Sequence, residues 1–134
     1  MTATPELRLG YGRAEVAVAP LPGRPGCWRI TASWYGKLSA DFEAEHIDAE
    51  DVLEFTDRLI AGMGEGEPFT TQLTSGRNNP LLVHAVPVED AFGFHARLTP
   101  NGDDAVVNLH VELDHVAADE LRTDFEEFRR SLTS

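Results

Sequence analysis

The sequence predicts an α+β fold. It consists of one mainly antiparallel sheet of about seven to eight strands, with two helices packed on one face, in the order strands, helix, strands, helix. Three observations lead there. Several short segments alternate apolar and polar residues with period two. Two longer segments carry apolar residues at spacings of three and four. The connections between the short segments are too brief for parallel crossovers, except where a helix intervenes. A chain of 134 residues is the size of one domain, so residues 1–134 are read as a single unit.

The first strands are expected at Glu6–Gly10, Ala14–Ala19, Trp28–Trp34 and Leu38–His46, with the breaker-rich PLPGRPG before the third. Trp28, Ile30, Ala32 and Trp34 alternate with Arg29, Thr31 and Ser33, and Leu38, Ala40, Phe42 and Ala44 alternate with Ser39, Asp41, Glu43 and Glu45. A three-residue loop, Tyr35 to Lys37, pairs Trp34 with Leu38, Ala32 with Ala40 and Ile30 with Phe42, and sets Arg29 opposite Glu43. A one-residue slip would mix the faces, so burial selects this register. Glycine in the middle of that loop is not the usual bulge pattern.

The segment HIDAEDVLEFTDRLIAGMGEG reads as a helix. Asp48 is its N-cap, Asp51 lies three residues on, and Ile47 can staple onto Val52. Val52, Phe55, Leu59 and Met63 form an apolar stripe, and Gly62, Gly64 and Gly66 end the helix. Strands then follow at Phe69–Thr74, Leu81–Val88, Phe92–Leu98 and Ala105–Leu113. A second helix, AADELRTDFEEFRRSL, places Ala118, Leu121, Phe125, Phe128 and Leu132 on one stripe.

The last three strands each carry a histidine. A Glu89-Asp90 turn pairs Ala85 with Phe94 and Val83 with Ala96, which sets His84 directly across from His95. If TPNGDD is a tight turn, Phe94 faces Leu109, Phe92 faces Val111, His95 faces Asn108, and His110 falls beside Gly93, diagonal to His95. Opposed Cβ atoms lie about 4.5–5.5 Å apart and diagonal ones about 7–8 Å. A three-histidine cluster of His84, His95 and His110 is therefore geometrically permitted, with Glu112 or Glu89 as extra oxygen ligands. The ordinary reading is a polar outer face carrying His95, Arg97, Asn108, His110 and Glu112, and no metal or cofactor is assigned. Leu82, Val86 and Val88 fall on that same face, an apolar strip that suits a partner or a second copy of the chain.

Charge bounds the function. The 23 acidic and 11 basic residues give a formal net charge of -12. Such a surface repels nucleic acid and anionic lipid and favours a basic protein. Asp41, Glu43 and Glu45 make the best row for such a partner. The single Cys27 forms no internal disulfide, and the N-terminus lacks the pattern of a signal peptide, so a cytoplasmic setting is expected. GMGEGE follows a helix and carries two glutamates, which makes it a helix terminator rather than a phosphate cradle. His46 reads as a boundary residue, and Trp28 and Trp34 as core.

The stretches GKLSADFE (36–43), VLEFTDRLIAGM (52–63), AFGFHARL (91–98) and DELRTDFEEFRRSL (119–132) resemble, in element order, a group of small acidic actinobacterial proteins of unknown function. The chain also looks like toxin-immunity proteins in size, acidity and lack of a catalytic motif. The resemblance implies an α+β fold and no known activity. The functional expectation is a non-enzymatic protein–protein interaction module, an acidic inhibitor or immunity-type protein for a basic partner. The alternative is a small-molecule or metal-binding domain using His84, His95, Arg97, Asn108 and His110.

Overall fold

The chain runs through β1 (Leu7–Tyr11), β2 (Ala14–Pro20), β3 (Trp28–Trp34), β4 (Leu38–Ala44), α1 (Ala49–Glu65), β5 (Phe69–Gln72), β6 (Leu81–Val88), β7 (Ala91–Leu98), β8 (Leu109–Glu112), β9 (Val116–Ala117) and α2 (Ala118–Thr133). The computed structural model describes residues 5–75, 79–100 and 107–133. The architecture is α+β and antiparallel throughout, but the expected single sheet is two. One has the order β1-β2-β3-β4. The other has the order β5-β6-β7-β8, with β9 also pairing with β7. The helices are not both laid on a single sheet either, since α2 reaches β1 of the first sheet as well as β9 of the second. They pack on each other, with α1 against β5 and α2 against β1 and β9. Alternation reports which side of a strand is buried, not which sheet lies beneath it.

Both sheets and both helices contribute to one hydrophobic core. Leu7, Leu9, Val16, Val18 and Ile30 come from the first sheet. Leu81, Val83, Phe94, Ala96 and Leu98 come from the second, with Phe55 and Phe125 from the helices. Trp28 is buried in this core and its indole N–H donates to the Ile47 carbonyl at 2.7 Å. Trp34 is only half-buried, at its edge.

The β3–β4 register is the expected one, with Trp34 paired to Leu38, Ile30 to Phe42 and Arg29 to Glu43. Its loop shows why glycine stands in the middle. Tyr35 and Gly36 both have positive φ, 50° and 70°, and the Lys37 amide donates to the Trp34 carbonyl at 2.9 Å. Hairpin turns with two left-handed central residues favour glycine at the second.

Helix α1 starts where expected. Asp48 is its N-cap, and the Asp51 carboxylate accepts from the Asp48 amide at 3.3 Å. Of the three glycines only Gly66 terminates it, with φ 69°. Gly62 lies inside the helix, where an added Cβ would stand 2.7 Å from the Phe69 ring. Its role is to let α1 approach β5. Arg58 fastens the same pair, donating to the Thr71 hydroxyl at 2.8 Å and the Gln72 carbonyl at 2.7 Å.

The β6–β7 register is also the expected one. The β7–β8 register is not. Leu98 pairs with Leu109, Ala96 with Val111, Arg97 with His110 and His95 with Glu112. Relative to the expected tight turn, β8 is displaced by four residues. Val107 and Asn108 precede the strand. The expected strand residues Ala105 and Val106, and most of the expected turn, lie outside the described residues.

After β8 the chain leaves the second sheet towards the first. The Leu113 amide still donates to Phe94 of β7 at 2.8 Å, but the next amide, of Asp114, donates to Ala14 of β2 at 3.3 Å. Leu113 sits so close over Gly10 that a Cβ there would lie 2.9 Å from its own Cβ. The Tyr35 hydroxyl donates to the Asp114 carboxylate, and this bond raises the phenol above its ordinary value of 10.0.

Candidate functional site

Two polar surfaces carry the residues singled out from the sequence, one on each sheet. On the second sheet, period-two alternation turns Leu81, Val83, Ala85, Phe94, Ala96 and Leu98 inward and His84, His95 and His110 outward. His84 and His95 are direct cross-strand neighbours. His110 is diagonal to His95, as expected, but from the opposite diagonal, because the four-residue displacement preserves the face while exchanging the partners.

The three imidazoles do not converge. The His84 Nδ1 lies 2.8 Å from the Thr70 hydroxyl on β5. His95 and His110 do meet, with Nε2 of the first 3.3 Å from Nδ1 of the second and ring centroids 5.5 Å apart. Among the described residues no group of three His, Cys, Asp or Glu side chains is placed to hold a metal ion. Arg97 is half-buried opposite His110. Asn108 is exposed and lies before β8, and the residue opposite His95 is Glu112 instead.

Sequence reasoning missed His115. Its ring occupies the space over Gly93 that had been expected beside His110, and a Cβ on Gly93 would stand 2.7 Å from its Cδ2. The signal was present, since a glycine inside a strand often marks a close approach by another group. Together His84, Val86, His95, Glu112 and His115 border a cleft of about 250 Å³. Val86 and Val88 are 38% and 37% exposed at its side, so the expected apolar strip is present.

On the first sheet, Asp41 and Glu43 project from β4, and Glu45 follows just beyond it. All three are exposed. Among the described residues β4 is an edge strand, with β3 on one side and no strand on the other. The carboxylates are paired within the chain. Arg29 donates to Asp41, with Nε 2.9 Å from Oδ1. Arg24, from the PLPGRPG loop, reaches both oxygens of Glu43 at 3.0 Å and lies 3.5 Å from Glu45. The Arg29 bond holds the Asp41 carboxyl below its ordinary value of 3.8. Although Arg29 pairs with Glu43 in backbone register, its guanidinium crosses diagonally to Asp41 and leaves Glu43 to Arg24.

His46 has a left-handed backbone, φ 63°, and a side chain 94% exposed, as suits a boundary residue. Cys27 is half-buried and free. No helix of the described chain is long and apolar enough to cross a membrane.

No family model and no curated protein matches this chain. Among solved structures it is similar to one described as the structure of the plant transcriptional regulator PBF-2, at 12% identity and a TM-score of 0.48, covering 98% of this chain and 82% of that one. A likeness of that degree carries no argument, and the functional reading is built from the side chains.

Proposed function

We propose that the chain is a non-enzymatic protein–protein interaction module, of acidic inhibitor or immunity type, that receives a basic partner along the open edge of β4. The observation that carries this reading is the coincidence of the unpaired edge of β4 with the exposed row Asp41, Glu43 and Glu45. An open edge offers main-chain hydrogen bonds to an extended segment, and alternate side chains supply the specificity. The net charge of -12 draws a cationic segment towards the protein. Arg24 and Arg29 already pair with the row, but exposed ion pairs contribute little to stability, so incoming lysines can replace them at small cost.

A synthetic peptide of about ten residues, with lysine at every second position, tests this. Titrated into 15N-labelled protein, it should shift the amides of Leu38–Ala44 and bind more weakly as salt rises. Asp41→Lys with Glu43→Lys should weaken binding and flatten its salt dependence, and Arg24→Gln should strengthen it. Shifts confined to another surface, or binding unchanged in the double variant, would reject the β4 edge.

A further inference from the structure

We propose that His95 and His110 form a two-nitrogen site for a divalent transition-metal ion, of the zinc, nickel and copper class, on the outer face of the second sheet. The inference rests on the spacing of one pair of atoms. The His95 Nε2 and His110 Nδ1 are 3.3 Å apart. Two imidazole nitrogens bound tetrahedrally to one zinc at about 2.0–2.1 Å must themselves stand roughly 3.3–3.4 Å apart. The pair already has that bite. When one of the two nitrogens carries a proton the same contact is a hydrogen bond between the rings, and an incoming metal ion takes the place of that proton.

The backbone holds both ring roots in place. His95 is on β7, hydrogen-bonded between β6 and β8, and His110 is on β8 in defined register with it. Neither ring has to be carried in by a mobile loop. The rings are tilted by 55° with their centroids 5.5 Å apart, so the two nitrogens converge without the rings stacking.

The surroundings set the kind of ion. Imidazole nitrogens suit zinc, copper and nickel, whereas calcium and magnesium take oxygen ligands. Glu112, the residue opposite His95, brings a negative charge to the same face. Arg97, opposite His110, brings a positive one that tempers affinity. His84 is engaged by Thr70 and stays outside the pair. Two protein ligands leave coordination positions open to solvent, which makes the ion exchangeable rather than a structural staple. Affinity should rank copper above nickel and zinc. The site lies on the opposite sheet from β4, so its failure leaves the docking reading intact, and the reverse also holds.

The test uses the full chain without a histidine tag, titrated with zinc chloride and then copper sulfate, with zinc binding read by calorimetry and by imidazole 15N shifts. One ion per chain is expected, with the His95 and His110 ring nitrogens responding and those of His46, His84 and His115 stationary. His95→Gln and His110→Gln should each weaken zinc binding by roughly tenfold or more with unchanged circular dichroism, and His46→Gln should bind as the parent does. Absence of stoichiometric binding at about 1 mM free zinc would overturn the proposal. So would responses from other histidines, or unchanged affinity in both folded variants.

Discussion

On β4 the polar side chains meet opposite charges, and on β7 and β8 they meet each other. Asp41 is held by Arg29, and Glu43 and Glu45 by Arg24. Across the molecule His95 faces His110, and His84 faces the neutral hydroxyl of Thr70. Both surfaces arise from the same alternation of inward and outward residues. They differ in what the neighbouring strand or loop supplies. Where it supplies guanidinium groups, a new ligand must compete with bonds already made. Where it supplies another imidazole, a pair of nitrogens is left at a spacing an ion can use.

The two faces rest on one shared core and should therefore lose stability together. Phe55→Ala empties a fully buried position in the shared core and should cost about 3–5 kcal/mol. Denaturant unfolding followed at Trp28 and at the histidine ring protons should show one transition, shifted equally for both probes. Two separate transitions would mean that the sheets unfold independently.

A smaller effect is expected from Gly93→Ala. The new methyl would meet the tip of the exposed His115 ring rather than backbone. The ring should swing off the strand at a cost of about 1 kcal/mol or less. The His115 ring shifts should change while the β4 amides stay as they are. A stationary His115 would show that the cleft wall is not built as described.

The smallest effect sharpens the charged side. Asp41 titrates below its ordinary 3.8 because Arg29 hydrogen-bonds the carboxylate. A lowered folded-state value means that the pair's contribution is present above the unfolded value and fades as pH falls through the folded one. Arg29→Gln should bring the carbon-detected Asp41 midpoint back towards 3.8 without a measurable loss of stability at neutral pH. A midpoint that does not move would assign the shift to another cause.

The two hairpins with short loops were fully legible. In β3–β4 and β6–β7 only one register put every apolar pair on the same side, and a loop of two or three residues left no slack for another. The β7–β8 pair was legible only in parity. An even displacement keeps Phe94, Ala96, Val111 and Leu109 inward, so alternation cannot distinguish it from the tight-turn register. The longer connection observed decides the partners. This is why His110 was placed on the correct face and diagonal to His95, yet next to the wrong residue of β7. The division into two sheets was not legible, because a buried face carries no mark of what covers it. The Arg24 contacts were hidden for a related reason. They come from a loop, and a long side chain chooses among several carboxylates that backbone register alone does not rank.

Residues 113–115 join parts of the molecule that the strand order keeps separate. Leu113 lies over Gly10 of β1, Asp114 bonds Ala14 of β2 and receives the Tyr35 hydroxyl, and His115 lies on Gly93 of β7. Three successive residues thus act as a rivet through both sheets. His115, which borders the cleft, stands one residue from the Asp114 amide that joins the two sheets. Hydrogen exchange at the Asp114 amide would therefore act as a remote gauge of whether the cleft is occupied.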